Sequence, residues 1–141
     1  MKRIEIGPMT AQQFDKVIST SEIRKVVMDG RKMRVLPYSE WARFSWVEIR
    51  TLLHETATYV VPTKELIDYV AGLIVGVKAI EICAGNGYIG SNLGIVMTDS
   101  YQQQDDKFTC MYYDLMRQPR IKYPPSVIKL EASRAVRRMN P

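Results

Sequence analysis

Ala79-Ile80-Glu81-Ile82-Cys83-Ala84-Gly85-Asn86-Gly87-Tyr88-Ile89-Gly90 reads as a buried strand running directly into a glycine turn, then into a helix that opens near Tyr88. Gly85 and Gly87 carry no Cβ, so the chain can turn sharply there and a ligand can come close to the backbone. The helix start behind them is expected to offer free N–H groups and a positive dipole end to the crevice above the strand. A second short apolar run, Ile95-Val96-Met97-Thr98, ends in Asp99. An acid at a strand's carboxyl end, facing solvent, is placed to accept both hydroxyls of a ribose. The same glycines would also serve, without any ligand, to let a helix pack closely on a strand.

Working outward, Val60-Val61-Pro62 is extended and Thr63 caps a helix whose stripe is Leu66, Ile67, Val70, Leu73 and Ile74, closed by Gly76. Gln102 to Asp106 reads as a polar loop and Tyr123-Pro124-Pro125 as a turn. Val127-Ile128-Lys129-Leu130 can form a third strand. Ala132, Ala135, Val136 and Met139 then repeat at helical spacing, with Arg134, Arg137 and Arg138 on the opposite face. Helix, strand, helix, strand, loop, strand, helix is the order of a parallel α/β sheet.

Residues 1–58 form a small α+β preface to this unit, which occupies residues 59–141. Ile4 and Ile6 alternate as in a strand, and Thr10 with Gln13 makes a capping box before Phe14, Val17 and Ile18. Asp29-Gly30, between Val26-Val27-Met28 and the run Lys32 to Leu36, signals a hairpin ended by Pro37. Ser39 can cap a helix from Glu40, and Ser45 with Glu48 offers another capping box. Trp46, Ile49 and Leu53 then share a face, with Trp41 and Phe44 read as packing residues. His54, the only histidine, stands just past that helix with no Cys or second His nearby, which favours a structural role over a base or a metal ligand.

The 141 residues suffice for one domain with a real core. Hydrophobic residues at 46% and charged ones at 25% exclude a disordered or fibrous chain. No apolar stretch approaches the ~18 residues of a membrane span, and Met1 to Ile6 lead into no apolar signal region, so a cytoplasmic location is expected. Cys83 and Cys110 form no C-x-x-C pair, and neither a zinc site nor a disulfide framework is expected. The net charge of +5 is concentrated at the end: from Leu115 on, seven Lys/Arg face one acid, Glu131. Such an end is a solvated helix face or a surface for nucleic acid or an acidic partner.

Gly85-x-Gly87-x-x-Gly90 matches the dinucleotide fingerprint, but Glu81 occupies a normally apolar strand position and the intervening helix is short. Asp99 also follows Gly85 by 14 positions, where that pattern expects ~20. Glu81-x-Cys83-x-Gly85-x-Gly87 instead resembles motif I of class I S-adenosylmethionine (SAM)-dependent methyltransferases, an acid followed by glycines at every second position. Cys83 stands where that pattern has its first glycine. Asp99 resembles the family's ribose-binding acid. Tyr59-Val60-Val61-Pro62-Thr63 is similar to the segment that touches the methionine end of the cofactor in some nucleic-acid methyltransferases, and Glu131-Ala132 resembles the acid–small pair beside the adenine.

The resemblance covers residues 59–141. It implies a partial Rossmann-like parallel sheet of about three strands, SAM as cofactor, and Thr63, Glu81, Gly85, Asn86, Gly87, Asp99 and Glu131 as cofactor-binding residues. It assigns no catalytic residue, because the family's catalytic motif follows a fourth strand, which would begin where Asn140-Pro141 stands. The expectation is a methyltransferase-like chain, truncated or half of a split enzyme and inactive alone, that self-associates or binds a partner protein. The alternative is a non-catalytic interaction protein, such as a mobile-element product, that reuses half the fold to bind a protein or nucleic acid. Arg134, Arg137 and Arg138 would serve the latter.

Overall fold

The structure, a computed structural model, describes residues 19–105 and 121–141. The readings placed on Ile4, Ile6, Thr10 to Ile18, Asp106 and Cys110 lie outside the described residues. Helix α1 (Ser21–Val27) runs into a hairpin of β1 (Met28–Asp29) and β2 (Lys32–Met33), in the register Met28↔Met33 and Asp29↔Lys32. The hairpin is shorter than expected and its loop residues are Gly30 and Arg31. Val26 and Val27 belong to the helix, since Ile23 and Val27, one turn apart, both enter the core. That burial outweighs the β-preference of valine. Gly30 takes a left-handed φ of 57° in the turn, a conformation that costs glycine little.

Helix α2 (Tyr38–Trp41) starts behind Pro37 and not at Ser39. The Tyr38 N–H is satisfied from a distance, by the Glu65 carboxylate at 3.0 Å, so no serine cap is used. Helix α3 (Trp46–Glu55) carries the expected capping box: the Ser45 hydroxyl accepts the Glu48 N–H while the Glu48 carboxylate accepts the Ser45 N–H. Its buried stripe is Ile49, Leu52 and Leu53. Trp46, expected on that face, is 65% exposed, because at 100° per residue it lies roughly 70° from the stripe's centre. His54 sits inside the last turn of α3, not past it. The core of this region joins Ile23, Val27, Met33, Trp41, Ile49, Leu52 and Leu53, with Phe44 packed against it.

Thr63 caps helix α4 (Lys64–Leu73) by accepting the Leu66 N–H at 3.1 Å. Ile67 is buried, but Leu73 is exposed, and Gly76 lies in the turn beyond the helix end and not at its cap. Then come β3 (Ile80–Ile82), α5 (Tyr88–Leu93), β4 (Val96–Asp99), a short 3-10 turn (Gln102–Gln104), β5 (Val127–Lys129) and α6 (Ala132–Met139). The three strands form a parallel sheet in the order β3-β4-β5, so β4 is central. Glu81 stands opposite Met97, and Asp99 opposite Lys129. The molecule is therefore mixed α/β with a three-strand parallel sheet, the architecture expected for residues 59–141. In α6 Ala135 is buried, whereas Val136, expected to face inward, is 48% exposed.

The boundary between residues 58 and 59 is bridged repeatedly. Leu36 pairs with Thr63 in an isolated bridge and its carbonyl accepts the Lys64 N–H at 2.8 Å. The Tyr88 hydroxyl donates to the Arg31 carbonyl at 2.6 Å, and the Tyr88 ring packs against the core of the first region. The segment after α3 reaches the glycine turn itself. That contact shapes the site.

Candidate functional site

The turn after β3 is built from left-handed residues: Cys83 at φ 54°, Gly85 at 55° and Gly87 at 70°. Its N–H groups are engaged internally. Ala84 donates to the Thr98 carbonyl at 3.0 Å, Gly85 to Asp99 Oδ2 at 2.9 Å, Asn86 to the Ala57 carbonyl at 3.0 Å and Gly87 to the Ala84 carbonyl at 2.7 Å. The N–H groups from Ala84 to Gly87 are thus taken by the chain. The Asn86 side-chain amide also donates to the Thr56 carbonyl.

All three glycines are packed tightly. A Cβ on Gly85 would overlap the Ala57 carbonyl, one on Gly87 would sit 2.6 Å from Met97 Sδ, and one on Gly90 would sit 2.6 Å from Glu81 Oε2. Glu81 uses that oxygen to accept the Gly90 N–H at 2.8 Å, tying the strand to the first turn of α5. Burial raises the Glu81 pKa above the ordinary carboxylate value; the Gly90 N–H opposes this and the nearby Asp99 charge adds to it. Asp99, expected to face solvent, is 4% exposed. Its second oxygen accepts the Tyr101 N–H at 2.7 Å, so both oxygens brace the turns around it.

Glu81, Gly85, Asn86, Gly87 and Asp99 therefore converge at the carboxyl ends of β3 and β4. Thr63 and Glu131 do not join them through any hydrogen bond: Thr63 caps α4, and Glu131 is the exposed residue before α6 without a side-chain cap bond. Four residues that spacing does not reveal complete the crevice. Tyr101 and Tyr123 stack at 4.0 Å between ring centroids, 7° from parallel. Tyr101 donates its hydroxyl to the Val127 carbonyl. The Tyr123 hydroxyl is buried with no partner in good hydrogen-bonding geometry among the described residues, although Asp99 and the Gln103 backbone lie close to it; burial first, then the Asp99 charge, push its pKa far above that of an ordinary phenol. Gln103 Oε1 is likewise buried without a partner among the described residues. Ala57 supplies the carbonyl under the glycine turn.

A cavity of about 200 Å³ is lined by Trp46, Arg50, His54, Ala57, Tyr59 and Gln103 among others, and so touches this group through Ala57 and Gln103. Of the four non-glycine residues with left-handed backbone among those described, Ala57 lines this cavity, Cys83 lies in the glycine turn, Tyr101 follows Asp99, and Asn140 ends α6. Each such residue stores about 1–2 kcal/mol, a strain that clusters at functional sites. No group of three or more His, Cys, Asp or Glu among the described residues is arranged to hold a metal ion. No described helix is long and apolar enough to cross a membrane. Arg134, Arg137 and Arg138 are exposed on α6.

Comparison of the chain with protein-family models, with curated proteins and with solved structures returned no significant match.

Proposed function

We propose that this chain is a SAM-binding, methyltransferase-like unit of partial Rossmann-like architecture, with its cofactor crevice at the carboxyl ends of β3 and β4. The observation that carries the reading is the state of that crevice. Two buried polar atoms, Gln103 Oε1 and Tyr123 Oη, make no hydrogen bond of good geometry among the described residues, near a buried Asp99 and the left-handed Tyr101. Unpartnered buried polar groups each cost about 1–3 kcal/mol, and a ligand with hydroxyl and amine groups would satisfy them. The glycine turn and the acid at the end of the neighbouring strand support an adenosine-bearing ligand.

The N–H groups of the turn and both Asp99 oxygens are engaged within the chain, so binding SAM requires some of these contacts to open. The space fits only part of the cofactor, since about 200 Å³ falls below the ~300 Å³ of small-molecule sites. Binding the whole cofactor requires the Tyr101–Tyr123 stack or Tyr59 to move. SAM supplies an electrophilic methyl group; Gln103, and Asp99 once released from the Gly85 and Tyr101 N–H groups, would hold its polar parts and the tyrosine rings would exclude water. No described side chain is assigned as a catalytic base.

Calorimetry and thermal melting with SAM and S-adenosylhomocysteine test the proposal. At a hundredfold excess over Kd, binding stabilises the native state by about 2.7 kcal/mol, which at roughly 3 °C per kcal/mol raises Tm by roughly 8 °C. No heat and no shift with either compound would refute it. The second reading, a non-catalytic interaction protein, has its own observation. Strand β3 pairs only with β4 among the described residues, and Val75, Val77 and Ile82 around it are exposed. An unpaired edge with apolar neighbours is a template for strand addition.

A further inference from the structure

We propose that the cleft between the β1–β2 hairpin, α5 and the 122–126 turn binds a phosphate-bearing nucleotide ligand. The cleft measures about 580 Å³, within the range of small-molecule sites. Arg31 and Lys32 stand on its hairpin wall and Lys122 on the turn that forms another wall. No Asp or Glu is among its described lining residues. None of the three cations is in an ion pair among the described residues, whereas Arg24, Lys25, Arg43 and Lys64 each are. Asp29, across the hairpin from Lys32, makes no ion pair with it.

Three unpaired cations around a concavity raise the local concentration of anions and hold them by charge-assisted hydrogen bonds. The aromatic content distinguishes a nucleotide from a bare anion or an acidic peptide. Tyr88 and Tyr123 are half-buried in the walls. Tyr123 has one ring face covered by Tyr101 and packs against Ala84, Met97 and Val127, so a base meets only the part of the ring that lines the cleft. Base–aromatic stacking together with cationic contacts to phosphate is how single-stranded nucleic acid is held without sequence reading. The cleft is separate from the exposed arginines of α6; it shares Asn86 and Tyr123 with the proposed SAM site, and its binding is tested in the absence of SAM.

Fluorescence anisotropy of a labelled single-stranded oligonucleotide with the full chain tests this. With three phosphates neutralised, affinity falls roughly 20-fold between about 50 and 200 mM salt. The double variant Lys32→Ala/Lys122→Ala weakens binding at least tenfold and flattens the salt slope, while its circular dichroism and melting are unchanged because both side chains are exposed. A mononucleotide competes for the site more strongly than inorganic phosphate does. Three results would overturn the proposal: no salt-dependent binding, equal binding by the double variant, or loss of binding only in Arg134→Ala/Arg137→Ala/Arg138→Ala. Displacement by poly-glutamate but not by nucleotides would also overturn it, and would assign the cleft to an acidic peptide.

Discussion

Glu81 and Asp99 show how one carboxylate can act as a structural brace while resembling a ligand-binding group. Glu81 is half-buried and holds the start of α5 by accepting the Gly90 N–H. Its pKa is raised, so the folded state binds that proton more tightly than the unfolded chain does. The corresponding stability is fully present below the unfolded pKa and is lost as pH rises through the folded value. Glu81→Gln removes this titration. Chemical denaturation of both proteins between about pH 4 and pH 7 should show the variant losing less stability than the parent as pH rises. Parallel curves would mean that Glu81 is not perturbed. Cys83 carries a different lesson: it is exposed, at φ 54°, where the methyltransferase-like pattern has glycine. A left-handed backbone explains why glycine suits that position.

At the level of the element, the β3–turn–α5 unit is held by packing on both sides of the glycines. Gly85 meets the Ala57 carbonyl, whereas Gly94, at φ 67° behind α5, meets nothing within 4 Å. The two are a matched pair. Gly94→Ala should cost about 1 kcal/mol, from backbone strain alone. Gly85→Ala adds a clash with a backbone atom that cannot rotate away, so it should cost roughly 3 kcal/mol or more. Urea denaturation of both variants measures the difference. Similar losses would mean that the segment Thr56 to Thr58 does not seat on the turn. If Gly85→Ala also shortens the bond network through Asn86, the first region should loosen with it, visible as faster hydrogen exchange in α3.

At the scale of the whole molecule, the two regions share one framework, since Tyr88, Asn86 and Thr63 each bond to or pair with a residue before position 58. The sheet nevertheless has a one-sided neighbourhood. The outer side of β3 has no strand partner among the described residues, and exposed Leu73, Val75, Val77 and Ile82 lie near it in sequence. Self-association is the expected result, and a symmetric dimer the commonest form of it. Light scattering at micromolar concentration should report more than one chain per particle, and Ile82→Lys should shift the population toward the monomer. A monomer in both proteins would leave the edge without a partner of its own kind.

What the amino-acid sequence determined by itself was local in origin. The Ser45–Glu48 capping box, the Thr63 cap, the strand–glycine–helix run from Ile80 to Leu93 and the third strand at Val127 all arise from residues a few positions apart. Helical and strand periodicities, side-chain caps and glycine φ freedom act over that range, so they can be read in order along the chain. The tertiary structure decided the rest. It placed Val26 and Val27 in a helix, turned Trp46 outward, buried Asp99 and stacked Tyr101 on Tyr123. It also brought Ala57 under Gly85, where its carbonyl accepts the Asn86 N–H and closes one side of the turn. Each of these outcomes depends on which surfaces meet across long stretches of chain. Burial free energy and backbone hydrogen bonding are settled by that meeting, and no spacing of residues encodes it.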